Sequence, residues 1–215
     1  MDKPGAGLNQ RIFAWAISRF SGRYERFAGK YKERLFAGLS GTVLEIGPGT
    51  GINLRYFGDP GVRWIGVEPN LFMERYLRDE AARLGMTVDL RIGTADALPV
   101  DNESVDAVNS TLVLCCVKDQ GQSLREVIRV LKPGGRLVFL EHVAAAPGTR
   151  LRRMQNFITP VWKRLGDGCH PNRETGVALE CAGFAQVEYE RITAPVSVVS
   201  PQIVGTAVKG KKPST

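Results

Sequence analysis

Five strand-like runs alternate with helical segments through the middle of this chain, and this alternation constrains its fold more than any other feature. The strand-like runs cover residues 42–46, 63–68, 87–92, 104–110 and 136–142. Helical patterns separate several of these runs, at 51–57, 71–84 and 121–131. Strands connected through helices form right-handed βαβ units, in which the strands run parallel. We therefore predict an α/β fold with a doubly wound, mainly parallel sheet and helices on both faces.

The stretches that flank this alternation predict further helices. Before it, residues 8–20 and 24–39 place apolar side chains three and four positions apart, a spacing typical of two amphipathic helices. After it, residues 149–165 and 173–182 favour helices, and Pro160 should kink or split the first of them. Helices therefore precede and follow the alternating region.

Two last strand-like runs, at 184–191 and 197–208, are joined by a short turn that contains proline. Strands with so short a connection are antiparallel neighbours rather than another crossover unit. With the five earlier runs they give seven strands, including an antiparallel C-terminal strand. We divide the chain into a helical lid or extension at 1–40, one sheet domain at 41–209 and a frayed tail at 210–215.

A glycine-rich turn, VLEIGPGTG at 43–51, follows the first of these strands. Glycine at Gly47, Gly49 and Gly51 lets the backbone approach a ligand closely, and the start of a following helix supplies free N–H groups. Glu68 ends the next strand, 21 residues after Gly47. A carboxylate at that place accepts hydrogen bonds from both hydroxyls of a ribose. These features together predict a nucleoside-containing cofactor.

The spacing within the turn separates two kinds of cofactor. A dinucleotide fold uses Gly-x-Gly-x-x-Gly, but Ile52 occupies the position of the third glycine. Glu45, inside the motif, would also repel a phosphate, whereas it can pair with the amino group of a zwitterionic ligand. A cationic sulfonium cofactor therefore suits this turn better than a pyrophosphate.

On these motifs the chain resembles the class I S-adenosylmethionine-dependent methyltransferases over residues 41–142. The motifs that carry the resemblance are VLEIGPGTG, GVEPN, GTADALP, SVDAVNSTLVL and LREVIRVLKPGGRLVF. The resemblance implies a Rossmann-like fold, S-adenosyl-L-methionine as cofactor and S-adenosyl-L-homocysteine as product. It also implies a set of cofactor-binding positions in this chain. These are Glu45, Gly47, Gly49, Gly51 and Asn53 near the methionine part, Glu68 at the ribose, Pro69, Thr94 and Ala95 near the adenine, and Thr111 and Leu112 on the opposite wall.

Within that superfamily the chain resembles the methyltransferase-like 7 group and small bacterial relatives that methylate thiols. The matching segments are GTGINL, STLVLCCVKDQ, FLEHVAA, GDGCHPNRET and GTAVK. The N-terminus departs from the animal members, which carry a hydrophobic membrane anchor where this chain has a basic amphipathic helix. The resemblance implies methyl transfer to the sulfur of a small, apolar thiol.

The residues on the acceptor side follow from their places along the chain. Glu141 and His142 end the fifth strand, at the rim where open α/β sheets bind ligands, so His142 is a candidate general base. Cys116 and His170 lie in loops expected to approach the site. The aromatic side chains on one face of the predicted second helix are candidates for a lid that excludes water over the cofactor. They are Tyr24, Phe27 and Tyr31.

Charge and cysteine content set bounds on partners and metals. The chain carries a formal charge of +7, but residues 36–149 hold eleven Lys/Arg against fourteen Asp/Glu, so both flanks are basic and the middle is acidic. Basic flanks can steer an anionic substrate, a membrane surface or nucleic acid toward the site, or can simply keep the protein soluble. Four cysteines, two of them adjacent, and two histidines fit reduced thiols in a cytoplasm and predict no metal centre.

Several functions stay open at this point. Thiol S-methylation is the leading hypothesis, and N-methylation of a phospholipid headgroup, another small-molecule methylation and a non-enzymatic cofactor-binding regulator are the alternatives. A nucleic-acid partner is not expected, because the fourth strand ends in Asn-Ser-Thr at 109–111 rather than in an Asn/Asp-Pro-Pro-aromatic clamp. We expect a monomer or homodimer, with peripheral membrane contact through the N-terminal amphipathic helix as an option.

Overall fold

The computed structural model describes residues 6–211, apart from the side chains of residues 6, 20, 21 and 23. Helices and strands alternate along the chain. They are α1 (Ala6–Phe36), β1 (Gly41–Ile46), β2 (Val62–Glu68), α2 (Glu74–Leu84), β3 (Asp89–Ile92), β4 (Val105–Thr111), α3 (Gln120–Val130), β5 (Leu131–His142), α4 (Arg150–Leu165), α5 (Thr175–Cys181), β6 (Gln186–Thr193) and β7 (Pro201–Val208). The frayed tail predicted at 210–215 falls outside the described residues from position 212 onward.

The strands form one sheet in the order β3-β2-β1-β4-β5-β7-β6. The first five strands in chain order run parallel, and β7 pairs antiparallel with both β5 and β6. This confirms the predicted doubly wound sheet with its antiparallel C-terminal strand. The strand order reverses between β1 and β4, and ligands bind at such a switch point, outside the carboxyl ends of the strands.

Apolar side chains bury both faces of the sheet under helices. On one face, Leu124 and Val127 of α3 and Leu179 of α5 pack with the sheet in the largest core cluster. On the other face, Phe36 of α1 and Leu77 of α2 pack against the sheet in a second cluster. Burial on both sides explains why the parallel strands read as continuous aliphatic runs rather than alternating ones.

The two predicted N-terminal helices are one continuous helix, α1, so the predicted break between residues 20 and 24 is wrong. A glycine inside a helix costs about 1 kcal/mol relative to alanine, which does not stop a helix that gains burial on both sides of it. Gly22 is such a position. The helix ends at Phe36, and Gly38 follows in the left-handed region, with φ 70°.

The helix predicted at 51–57 is also wrong, because only a single 3-10 turn forms there, at Leu54–Tyr56. Gly49 and Gly51 have φ of 57° and 79°, so the chain turns left-handed where a helix would have to begin. A Cβ on Gly51 would lie 3.3 Å from the Leu77 Cα, which shows that the turn passes close against α2. Because the turn packs closely against α2, the helix predicted from the motif does not begin there.

Pro160 does not split its helix, since α4 runs unbroken from Arg150 to Leu165. The Thr149 hydroxyl accepts a hydrogen bond from the Arg152 N–H and caps the first turn. Pro160 lies on the exposed face, where water can satisfy the carbonyl that loses its usual N–H partner.

Candidate functional site

A cavity of about 370 Å³ opens at the carboxyl ends of β1, β2 and β4, at the switch point of the sheet. Two walls face each other across it. The glycine wall, from the first half of the sheet, comprises Gly47, Gly49, Glu68, Pro69, Thr94 and Ala95. The sulfur wall, from the segment after β4 and the loop after α4, comprises Leu112, Val113, Cys116, Val117 and Asp167.

The glycine turn shapes its wall through backbone rather than side chains. Gly47 has φ 57°, and its N–H donates to the Val67 carbonyl oxygen over 2.8 Å. A Cβ on Gly47 would lie 2.8 Å from Val113 Cγ2, so only glycine fits between the two walls. A Cβ on Gly49 would meet nothing within 4 Å, which leaves space for a ligand beside the backbone. Gly51 packs against Leu54 and does not line the cavity.

Glu68 presents a buried carboxylate at the end of β2. One of its oxygens accepts a hydrogen bond from the Gly49 N–H, and the other accepts from the Asn70 N–H, each over 2.9 Å. Burial raises the pKa of this carboxyl against the lowering effect of these two bonds. Each carboxylate oxygen offers a second lone pair, so Glu68 keeps acceptor capacity for a ligand in the cavity.

Glu45 lies beneath the turn rather than in the cavity. Its carboxylate accepts hydrogen bonds from Asn53 Nδ2 over 2.6 Å and from Trp64 Nε1 over 3.0 Å. Burial raises the pKa of Glu45 to about 7. Asn53 Nδ2 also contacts the Thr111 hydroxyl at 3.3 Å. The structure thus places buried Glu45 and Asn53 and half-buried Thr111 in one polar network that supports the turn from below, and none of them lines the cavity.

The turn after β4 is held by a buried carboxylate. Glu141 accepts hydrogen bonds from the Ser110 hydroxyl over 2.7 Å and from the backbone N–H groups of Val113 and Leu114. Leu112 has φ 59°, an uncommon left-handed conformation for a branched residue, and its N–H donates to the Leu140 carbonyl. Glu141 therefore fixes the segment that carries Leu112 into the cavity.

His142 does not line the cavity, so its position does not support the predicted role of a base acting on a bound acceptor. It is buried, and its Nε2 lies 3.0 Å from Cys169 Sγ. His170 also lies outside the cavity lining, and its backbone N–H donates to the Cys115 carbonyl over 3.0 Å. Of the predicted acceptor-side residues, Cys116 is the one that reaches the cavity.

The aromatic side chains predicted as a lid pack against the sheet instead. Tyr24, Phe27 and Tyr31 stack along α1 and contact the core cluster of Leu140 and Val204. The Tyr24 hydroxyl donates to Gln202 Oε1 of β7 over 2.7 Å. The three rings therefore anchor α1 to β5 and β7, two inner strands of the sheet, because packing there removes their apolar surface from water, and none of them lines the cavity.

Sequence reasoning missed several residues that line the cavity. Gln10 and Phe13, from the first turns of α1, cover one side of it. Asp167 enters from the loop after α4, with φ 47°, and its carboxylate accepts from Asn70 Nδ2 over 3.3 Å. Burial raises the pKa of Asp167. The segment GDGCHPNRET carried the signal for Asp167, but its spacing from the glycine turn did not show that the two meet.

The comparisons with known proteins agree with this geometry. The family described as "Methyltransferase domain" matches residues 44–139. The chain is similar to the protein named thiol S-methyltransferase TMT1A from Homo sapiens, with 40% identity over 93% of this chain and 87% of the relative. It is similar to thiol S-methyltransferase TMT1B from Rattus norvegicus, with 39% identity over 78% of this chain and 70% of the relative.

Solved structures match the fold at lower identity. One is the crystal structure of a SAM-dependent methyltransferase from Methanosarcina mazei, with TM-score 0.65 and 19% identity over 83% of this chain and 97% of that one. Another is the [4+2]-cyclase SpnF, with TM-score 0.69 and 20% identity over 87% of this chain and 81% of that one. Since one of these proteins is named a cyclase and the other a methyltransferase, likeness of fold alone does not identify the reaction.

Proposed function

The chain belongs to the class I S-adenosylmethionine-dependent methyltransferases, in the small thiol S-methyltransferase group, and from this premise we propose the acceptor and the residue roles. The acceptor is a small, apolar thiol, methylated on sulfur. The observation that carries this proposal is the 40% identity, over nearly the whole chain, to a protein named thiol S-methyltransferase. The apolar side chains of Phe13, Leu112 and Val113 at the cavity support an apolar acceptor.

The residues present fit S-adenosylmethionine, which when bound supplies an electrophilic methyl group on a sulfonium. Glu68 retains acceptor capacity for the ribose hydroxyls. The open space beside Gly49 admits the cofactor against bare backbone. Thr94 and Ala95 would contact the adenine from the same wall, with Pro69 beside them. Glu45 and Asn53 would hold the turn in shape from below.

Thiol methylation asks little acid–base help from the protein. A free thiol has a pKa of about 8.5, so a few per cent of it is thiolate near neutrality, and the thiolate is a strong nucleophile. Positioning an acceptor next to the methyl donor then supplies much of the acceleration. The buried place of His142, outside the cavity lining, agrees with a mechanism in which no histidine takes the proton directly.

The first turns of α1 would act as the lid. Gln10 and Phe13 lie at the cavity, whereas Tyr24, Phe27 and Tyr31 fasten the second half of the helix to the sheet. The lid proposed for residues 1–40 therefore narrows to the part of α1 before residue 20. Covering the cavity with Phe13 would keep water away from the reacting sulfur.

A membrane surface is a second proposed partner, favoured by exposed apolar side chains on two helices. Leu8, Ile12 and Trp15 are more than half exposed on α1, while Phe157 and Leu165 of α4 are 85% and 74% exposed. Lys163 and Arg164 immediately precede Leu165 and would meet anionic headgroups. Among the described helices, none has both the length and the apolarity to cross a bilayer. Cytoplasmic location and a monomer or homodimer stay predictions.

Turnover assays separate the thiol proposal from its lipid alternative. Methyl transfer from labelled S-adenosylmethionine is measured on a panel of alkyl thiols, on phosphatidylethanolamine vesicles and on amines, with Glu68→Ala as the control. We expect turnover on soluble thiols without vesicles, with a rate that rises as pH approaches the thiol pKa. Turnover on phosphatidylethanolamine together with none on any thiol would overturn the proposal.

A further inference from the structure

Three cysteine sulfur atoms gather beside the cavity, which one of them lines. The Sγ atoms of Cys115, Cys116 and Cys169 all lie within 4.8 Å of one another, and those of Cys115 and Cys116 are 3.5 Å apart. Two of these side chains are buried and the third, Cys116, is half-buried and lines the cavity. Methyl transfer to a thiol by positioning alone uses none of these three cysteine side chains.

The spacing of these sulfur atoms matches the demands of a thiophilic metal ion. Zinc–sulfur bonds are about 2.3 Å long, so two sulfur ligands of a tetrahedral zinc lie about 3.8 Å apart. The sulfur separations in the cluster, 3.5 Å between Cys115 and Cys116 and no more than 4.8 Å for the other pairs, are close to this value. Cys169 lies 53 positions after Cys116, and because this spacing is far from that of a Cys-x-x-Cys zinc motif, the sequence predicted no metal centre.

Surrounding groups hold the cluster in place. His142 Nε2 and Trp162 Nε1 lie 3.0 Å and 3.2 Å from Cys169 Sγ, within reach to donate hydrogen bonds to a thiolate. The backbone N–H of His170 donates to the Cys115 carbonyl, which ties the two cysteine-bearing loops together. Donors of this kind around a sulfur ligand orient it and tune its affinity for a metal.

We propose that Cys115, Cys116 and Cys169 bind one Zn²⁺ ion through their sulfur atoms, with a fourth coordination position that takes the acceptor thiol. Three protein ligands and one exchangeable position are typical of catalytic rather than structural zinc sites. Thiolate ligands select soft cations over magnesium or calcium. The acceptor part of this inference rests on the proposed function, whereas binding of the metal by the three cysteines does not.

Coordination would activate the acceptor. As the acceptor sulfur bonds to the metal, before Phe13 covers the cavity, its S–H bond breaks, the proton leaves to bulk water and the electron pair stays on sulfur, so no oxidant or reductant is needed. A thiol bound to zinc is deprotonated outright, so in zinc-loaded protein thiolate would be available well below the pKa of the free thiol, and the rise of rate toward that pKa would be confined to metal-free protein. Because Cys116 lines the cavity, the activated sulfur would be presented beside Leu112 and Val113.

Cobalt substitution tests the site without relying on turnover. The full chain is stripped with a chelator, kept reduced with a phosphine and titrated with Co²⁺, while absorption in the near ultraviolet reports thiolate-to-cobalt charge transfer. We expect one Co²⁺ per chain, displaced by Zn²⁺, and a change in the visible bands when ethanethiol is added. Cys116→Ser and Cys169→Ser should lose the charge-transfer signal.

Matched variants keep the test decisive. Cys181→Ser removes the exposed cysteine of α5, outside the cluster, and should leave cobalt binding unchanged. His142→Gln should weaken Co²⁺ binding by about 10-fold, as expected for a residue that positions a ligand. Circular dichroism and S-adenosylmethionine binding check that each variant folds, and the zinc content of the purified wild-type chain gives a second measurement on unaltered protein.

The results distinguish the metal site, its open fourth position and the proposed thiol methylation from one another. No stoichiometric Co²⁺ and no zinc in wild-type protein overturn the metal site while leaving thiol methylation to stand on its own assay. Metal binding whose spectrum ignores ethanethiol overturns the open fourth position. Failure of the proposed function would show differently, as metal bound with the expected spectrum in a protein that methylates no thiol.

Discussion

The glycine wall and the sulfur wall of the cavity are built in different ways. The glycine wall depends mainly on backbone geometry at Gly47 and Gly49 and on the Glu68 carboxylate, which lie within 22 residues of each other, and Thr94 and Ala95 complete it after β3. The sulfur wall joins the turn after β4 to Asp167, more than 50 residues later. The first wall suits a cofactor common to many enzymes, and the second is free to vary with the acceptor.

The largest effect is expected where the two walls touch. Gly47→Ala places a methyl group 2.8 Å from Val113 Cγ2 at φ 57°, so strain and overpacking add. We expect a loss of about 2–4 kcal/mol in the free energy of unfolding, measured by urea denaturation. Gly49→Ala has the same φ but open space and should lose about 1–2 kcal/mol.

Gly58→Ala is the control for that pair, because its φ is not positive and a Cβ there would meet nothing within 4 Å. Its stability should stay within about 0.5 kcal/mol of the wild type. Equal losses for Gly47→Ala and Gly49→Ala, which share a φ of 57°, would show that the walls do not press on each other at Gly47.

The network beneath the glycine wall should make stability depend on pH. The pKa of Glu45 is raised to about 7 by burial, from an ordinary value of 4.5, so the folded protein holds this proton more tightly than the unfolded chain. Its contribution is therefore present below pH 4.5 and is lost as pH rises to about 7, by up to about 3 kcal/mol. Urea denaturation at pH 5 and pH 8 measures it.

Glu45→Gln cannot ionise and should lack this part of the pH dependence, whatever its absolute stability. Glu74→Gln, at the half-buried first position of α2, should keep the wild-type dependence. If Glu45→Gln loses as much stability between pH 5 and pH 8 as the wild type, the buried carboxyl is not the cause.

Glu68→Ala sharpens the role of the glycine wall in cofactor binding. Loss of a charge-assisted hydrogen bond to the ribose should weaken S-adenosylmethionine binding by about 1.5–3 kcal/mol, or roughly 10- to 150-fold, in isothermal titration. The variant also frees the N–H groups of Gly49 and Asn70. Unchanged affinity would remove Glu68 from the cofactor site.

The smallest expected effect is on cofactor binding by α1, where one substitution in each half of the helix distinguishes their roles. Phe13→Ala should raise the S-adenosylmethionine Kd several-fold, by about 1 kcal/mol, with little change in melting temperature, because Phe13 lines the cavity. Phe27→Ala should lower the melting temperature and leave the Kd alone, because Phe27 packs between Tyr24 and Tyr31. The reverse pattern would place the lid in the second half of the helix.

The glycine wall and the sulfur wall also differ in how far the sequence predicts their residues. The sequence predicts Gly47, Gly49 and Glu68 as site residues, because a turn and the end of the next strand form one local motif. It also predicts the seven-stranded, doubly wound sheet, because strand-like and helical segments alternate along the chain. The 3-10 turn at Leu54–Tyr56 was not readable, since packing of Gly51 against α2 decided it. Phe13 and Asp167 reach the cavity only through tertiary packing, which no local spacing encodes.

The place of β7 in the sheet has a consequence for synthesis of the protein. This strand, the last in chain order among the described residues, lies between β5 and β6, which leave the ribosome before it. Until residues 201–208 emerge, β5 presents an open edge of unpaired N–H and C=O groups, the kind of edge that recruits other chains. A nascent or truncated chain lacking β7 should therefore depend on chaperones and aggregate, even with every cofactor-binding residue already made.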